Sequence, residues 1–277
     1  MRRYWLAMFL AVTGSVAAFA ASYDDFARGL SDNQHDDSAA AVTDFTAALD
    51  AGDLAPGVVP LAWRGRGLAH VRLGHCKLAL ADLDEALKLR PDDLDAQVFH
   101  AEAHLCANEP AAAIADYTAL LDKHQNADVY GMRGRVRLRN GDFAGAVDDF
   151  SKEAAIQPTN PYAQLWLFIA RHHAGSFDAK LAATEADRFS SHVWPGAVLL
   201  LYTGYEKPDD VLAIAARGEQ KAAEYELCEA DFYIGEYLLA TGALPADVKA
   251  RFDSAVARCP KGFVEGRAAA IELEQLK

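Results

Sequence analysis

The feature that most constrains this chain is its self-similarity. At a period of about 34 residues the same order of small, large and chain-stopping side chains returns, which points to a stack of like units rather than a single closed core. The segment Pro60 to Asp93 sets the pattern. Trp63 and Gly67 lie on a first helix, Gly74 sits at a turn, Ala79, Leu83 and Ala86 mark a second helix, and Pro91 stops it. Proline cannot continue a helix and restrains the residue before it. The next unit, Leu94 to Asn126, carries Ala101, Ala113, Tyr117 and Leu120, and a third, Ala127 to Asn160, carries Tyr130, Gly134, Gly141, Ala146, Phe150 and Pro158. Small residues at these offsets let two antiparallel helices approach, while the large ones fill the flanking grooves.

The flanks are looser. Residues 22–55 read as a degenerate first unit with Gly29, Ala41, Phe45 and Ala48, followed by the insert Pro56-Gly57-Val58-Val59. Residues 161–227 keep helical apolar spacing, as in Leu165, Trp166, Phe168 and Ile169, but lose the signature. Ser190 to Pro195 reads as a loop and Ala197 to Tyr202 as an apolar helix. A last unit runs from Cys228 to Lys261 with Gly235, Gly242, Phe252 and Ala255, and Phe263 to Leu276 forms a closing helix. The pattern resembles the tetratricopeptide repeat (TPR). The expected fold is therefore an all-α TPR superhelix: an array over 21–160, then an atypical helical region over 161–277 that holds a final unit and a cap.

The first twenty residues have another character. Arg2 and Arg3 precede the apolar run Tyr4 to Val12, and Ala18-Phe19-Ala20 matches an A-x-A cleavage site before Ala21. An uncleaved anchor is the alternative, but Thr13, Gly14 and Ser15 interrupt the run short of the roughly 20 apolar residues that a span requires. A cleavable signal peptide over 1–20 is expected, with a periplasmic product and no membrane span after cleavage. Of 27 Lys and Arg, losing Arg2 and Arg3 leaves 25 against 40 Asp and Glu, a net charge of −15. Such a surface repels nucleic acid and anionic lipid. Apolar residues make up 52% of the chain, ample for a continuous core and against disorder.

The repeat register gives the four cysteines a geometry. Cys228 opens the first helix of the last unit and Cys259 ends its second; Cys76 starts a second helix and Cys106 ends the first helix that follows. In antiparallel neighbours those ends meet within the roughly 7 Å between Cα atoms that a bridge tolerates. Two disulfides, Cys228–Cys259 and Cys76–Cys106, are expected in an exported chain; four buried free thiols are the alternative.

Little in the sequence points to catalysis. His100 and His104 stand four apart on one helix face, a spacing that can hold zinc, but the zincin order is missing and no third ligand is in sight. Packed histidines, His70 among them, are the expected state, with no metal and no cofactor. His172 and His173 read as a solvated helix end. Gly65 and Gly67 read as packing glycines, and Asp82, Asp84, Glu85, Asp148 and Asp149 as the wet side of second helices. No enzyme is expected. Arg64, Arg72, Arg135 and Arg139 instead fall on first helices, which line the groove of a TPR array. They are candidate contacts for an acidic or C-terminal segment of a partner. The alternative is that they pair with local acids such as Glu102.

A sharper resemblance lies in the second half. Asn160 to Phe168, Trp194 with Tyr202-Thr203-Gly204, Ala230 to Leu238, and Phe263-Val264-Glu265 resemble NlpI-type TPR lipoproteins of the Gram-negative envelope, over roughly residues 40–275. That resemblance implies a homodimeric scaffold that brings a periplasmic tail-specific protease to its substrates and organises peptidoglycan hydrolases. Members are lipidated on a cysteine, and none follows this signal, so a soluble periplasmic adaptor is expected rather than an outer-membrane one. A structural assembly factor or chaperone without a protease link is the alternative.

Overall fold

The computed structural model describes residues 21–189, 193–260 and 262–276. The signal-peptide segment and the first half of the loop expected at Ser190 to Pro195 lie outside them. All regular structure among the described residues is helical. Residues 21–34 form α1, and the next helices are α2 (Ser38–Ala51), α3 (Val59–Arg72), α4 (Cys76–Leu89), α5 (Leu94–Cys106) and α6 (Pro110–Lys123). Then follow α7 (Ala127–Arg139), α8 (Phe143–Ile156), α9 (Pro161–His173), α10 (Ala179–Ala186), α11 (Gly196–Thr203), α12 (Pro208–Ala215), α13 (Gln220–Ala240), α14 (Pro245–Arg258) and α15 (Val264–Gln275). The chain forms two compact units divided between Gln125 and Asn126. Among the described residues, no helix is long and apolar enough to cross a membrane.

Local chemistry sets the helix ends. Asp37, Asp93, Asn126, Asp142, Asn160 and Asp178 each accept a backbone N–H of the turn they open, satisfying donors that a helix start leaves free. Between the helices of a pair the chain turns through a left-handed residue: Gly74 at φ 74°, Gly141 at 79° and Gly242 at 75°. Asp36 and Asn108 hold the same conformation at the corresponding turns, side chains that tolerate it better than most.

Each pair closes on a small residue set under a large one. A Cβ added to Gly67 would lie 2.7 Å from Leu83, one on Gly134 would lie 3.0 Å from Phe150, and one on Gly235 would lie 2.6 Å from Phe252. In the first unit the core is Ala41, Phe45, Ala48, Ala62 and Ala69, with a second cluster around Ala79, Leu83 and Ala103. The second unit has one larger core, and two helices run through it. Residues Ala163 to Ala170 of α9 and Ala230 to Glu236 of α13 are buried without a break. A stretch covered on every side has no wet face to encode, which is why the repeat signature fades along α9. Trp166 stacks on Phe150 at 5.9 Å and packs on Phe232 and Tyr233.

One expectation about the cysteines needs correction. Cys228 does not open its helix, because α13 begins at Gln220 and continues for 21 residues. Its pairing with Cys259 follows the expected register even so: the Cα atoms are 4.9 Å apart and the sulfurs 2.07 Å. Cys76 and Cys106, at facing ends of α4 and α5, have Cα atoms 5.4 Å apart and sulfurs at 1.96 Å.

Candidate functional site

A charged position recurs one residue before each small one. In four successive helix pairs a residue of the first helix faces an aspartate sixteen positions on. Arg28 donates to Asp44 at 3.2 Å through both Nε and Nη2. Arg66 is bidentate on Asp82 at 2.7 and 2.8 Å. His100 Nδ1 meets Asp116 Oδ2 at 2.8 Å, and Arg133 is bidentate on Asp149 at 3.0 and 2.7 Å. The residue one turn later joins in three of the four. His70 Nε2 lies 3.8 Å from Asp82, His104 Nε2 lies 3.8 Å from Asp116, and Arg137 donates to Asp149 at 2.9 Å. In the α13–α14 pair the sign is exchanged: Asp231 sits on the first helix, with Arg251 and Arg258 of the second at 3.0 and 3.1 Å.

This register corrects the reading of the carboxylates. Asp84, Glu85 and Asp148 are exposed as expected, but Asp82 and Asp149 point inward, with side chains 7% and 0% exposed. A carboxylate buried that far requires a cation and hydrogen bonds, and arginine's planar fork supplies both. The sixteen-residue interval was present in the sequence, and reading charges by repeat offset rather than by helix face would have found it.

The four groove candidates divide. Arg64 Nη1 is held by Asp93 at 2.9 Å and by Asp95 at 3.0 Å. Arg72 donates to the Asn33 carbonyl at 2.6 Å and lies 3.1 Å from Asp36. Both are engaged by local acids of the first unit. In the second unit Arg135 lies over the Trp166 ring at 5.8 Å and Arg139 is exposed. Among the described residues neither of these two enters an ion pair. Arg135 does act on Glu153, whose side chain is buried beside Gly131: burial pushes this carboxyl up to about 7, and Arg135 partly opposes the rise.

The histidines also differ from expectation. His172 and His173 are not a solvated end. His172 stacks on Phe177 at 3.8 Å, and burial lowers its pKa to about 4. His173 Nε2 meets the buried Glu236 at 3.0 Å. Nearby, Tyr162 and Trp194 both donate to Glu229 Oε2, at 2.8 and 2.6 Å, which ties α9, α13 and the segment before α11 together. Burial raises the Glu229 carboxyl, and those two donors lower it. His100 and His104 acquire the third ligand that the sequence did not reveal. Nitrogen atoms of both rings and an oxygen of Asp116 lie within 4.8 Å of one another.

A tetratricopeptide-repeat profile matches residues 26–93, 64–128 and 100–161, consecutive overlapping windows that follow the four helix pairs from α1 to α8. Residues 26–161 are tetratricopeptide repeats. The TPR fold extends the likeness to solved proteins. A tetratricopeptide-repeat protein from Parabacteroides merdae aligns with a TM-score of 0.58 at 15% identity, over 91% of this chain and 98% of that one. The C-terminal part of a TPR-containing protein from Cytophaga hutchinsonii aligns at 0.56 with 17% identity, over 88% and 98%. TPR proteins generally mediate protein–protein interaction, and the fold is typically a non-enzymatic scaffold.

Proposed function

We propose that this TPR protein is a non-catalytic adaptor of the bacterial envelope. In this reading it is periplasmic, made with a signal peptide over residues 1–20, and joins envelope proteins such as a tail-specific protease and peptidoglycan hydrolases. The observation that carries the reading is how unevenly its charges are used. The arginines between helices are consumed by buried aspartates, and Arg64 and Arg72 by local acids. On the first helix of their pair, Arg135 lies over the Trp166 ring and Arg139 is exposed, and with no ion pair of their own among the described residues they are the cations left for a partner. An acidic or C-terminal peptide segment is the complementary ligand, since a guanidinium binds carboxylate bidentately.

The test is capture from envelope extract with the full chain, read by mass spectrometry, followed by affinity measurement on the captured partner. Enrichment of a protease or a cell-wall hydrolase, with binding weakened at least tenfold by Arg135→Glu with Arg139→Glu, supports the adaptor. Capture of envelope assembly substrates alone would favour a chaperone. Affinity unchanged by the double reversal would remove these arginines from the interface.

A further inference from the structure

We propose that His100, His104 and Asp116 form a binding site for a borderline divalent cation of the zinc class, bridging α5 to α6. The inference is independent of the adaptor reading. It begins from the repeat register. Where two neighbouring pairs place arginine against the buried aspartate, this pair places histidine at both cationic positions. A guanidinium carries its charge permanently; an imidazole does not. Asp116 therefore faces two nitrogen ligands instead of a fixed cation. The same spatial slot that arginine fills elsewhere is open to a metal ion here.

The geometry suits such an ion. His100 Nδ1 is 2.8 Å and His104 Nε2 3.8 Å from the same Asp116 Oδ2, and all three ligand atoms fall within 4.8 Å of one another. Bonds of about 2.0–2.1 Å at tetrahedral angles require ligands about 3.3 Å apart, so movements of about half an ångström to an ångström would seat one. The rings cross edge to face with centroids 4.8 Å apart, so both can turn a nitrogen toward one point. Behind each ring stands a carboxylate: Asp84 is 3.4 Å from His100 Nε2, and Glu109 is 2.7 Å from His104 Nδ1. Metal-bound histidines almost always donate their other N–H to such a partner, which fixes the tautomer and orients the ring.

Access and selectivity follow from the surroundings. The three ligand side chains are 18, 19 and 30% exposed. A cavity of about 150 Å³ is lined by His100 and Asp116 together with Gln97 and Lys123. Two imidazoles and one carboxylate favour zinc, copper, nickel or cobalt over calcium or magnesium, which select oxygen ligands. Three protein ligands leave one position for water or for a side chain from outside. Without metal, His100 Nδ1 and Asp116 Oδ2 hydrogen-bond to each other, and the ion would take the place of that bond.

The full chain, with both cysteine pairs kept oxidised so that no thiolate competes, is stripped with chelator and titrated with cobalt(II), then zinc. The expected result is a visible ligand-field band saturating at one cobalt per chain and displaced by zinc. His104→Gln and Asp116→Asn should each weaken binding at least tenfold, and His75→Gln should leave it unchanged. Zinc should raise the thermal midpoint of the wild type but not of His104→Gln. If either ligand variant fails to fold, zinc-edge X-ray absorption of the wild-type protein decides, with two imidazoles and a carboxylate oxygen expected in the shell. No cobalt band at millimolar metal, binding that survives both ligand substitutions, or an absorption shell without imidazole would overturn the site.

Discussion

The recurring cation–aspartate pair predicts a graded series of stability losses. Replacing the cation by leucine leaves its aspartate behind, and the cost depends on how far that carboxylate is removed from water. Arg28 and Asp44 have side chains 56% and 19% exposed, Arg66 and Asp82 16% and 7%, and Arg133 and Asp149 8% and 0%. Exposed ion pairs are screened by water and contribute little, so Arg28→Leu should give the smallest loss of the series, close to the wild-type midpoint. Breaking a buried pair by removing one partner costs about 3–5 kcal/mol. Arg137 remains within 2.9 Å of Asp149 and holds part of the charge, which places Arg133→Leu at about 3 kcal/mol, the lower end of that range. Arg66→Leu should fall between, at about 2 kcal/mol, because a charged hydrogen bond to a less buried acid is lost. The assay is urea unfolding followed by far-ultraviolet circular dichroism, comparing midpoints at a common slope. Adding Asp149→Leu to Arg133→Leu should return part of the loss, since two apolar side chains leave no charge stranded. Equal losses across the three single variants, or a larger loss for the double variant than for Arg133→Leu, would refute the claim that burial of the carboxylate sets the cost.

Three further outcomes are expected. Glu153 is held protonated by burial, with its carboxyl raised from about 4.5 to about 7, so the fold binds a proton that the unfolded chain releases. Stability from this group is present below pH 4.5 and lost as pH rises to 7; Glu153→Gln should therefore gain about 1–3 kcal/mol at pH 8 and flatten the profile, and parallel pH profiles would count against it. Reduction should add about four mass units to the intact chain. Each opened bridge, closing loops of 30 and 31 residues in separation, should cost about 3–4 kcal/mol in the chain-entropy account; an unchanged mass would show that the cysteines are free. Gly235→Ala drives a methyl to 2.6 Å from the Phe252 ring and should lower stability by about 1–3 kcal/mol, measured by thermal denaturation, whereas Gly57→Ala, whose methyl would meet only Arg90 at 3.9 Å, should change it far less.

The sequence by itself determined the helix pairs and their register. Backbone approach at Gly67, Gly134 and Gly235 and the turns at Gly74, Gly141 and Gly242 demand residues without bulk or handed constraint, and those demands are written at fixed offsets. The cysteine pairings followed from the same register, because the ends of antiparallel neighbours meet whatever else surrounds them. Tertiary structure alone decided which charges are wet. A helix face is polar or buried according to what packs on it. Asp82 and Asp149 therefore read like Asp84 and Asp148 until the opposite helix delivers a guanidinium. The same holds for Asp116, an ordinary surface acid by spacing, which becomes a third ligand only when α6 is laid against α5. Burial on every side of the stretches Ala163–Ala170 in α9 and Ala230–Glu236 in α13 was likewise invisible in periodicity, since a stretch with no solvent face has no pattern to show.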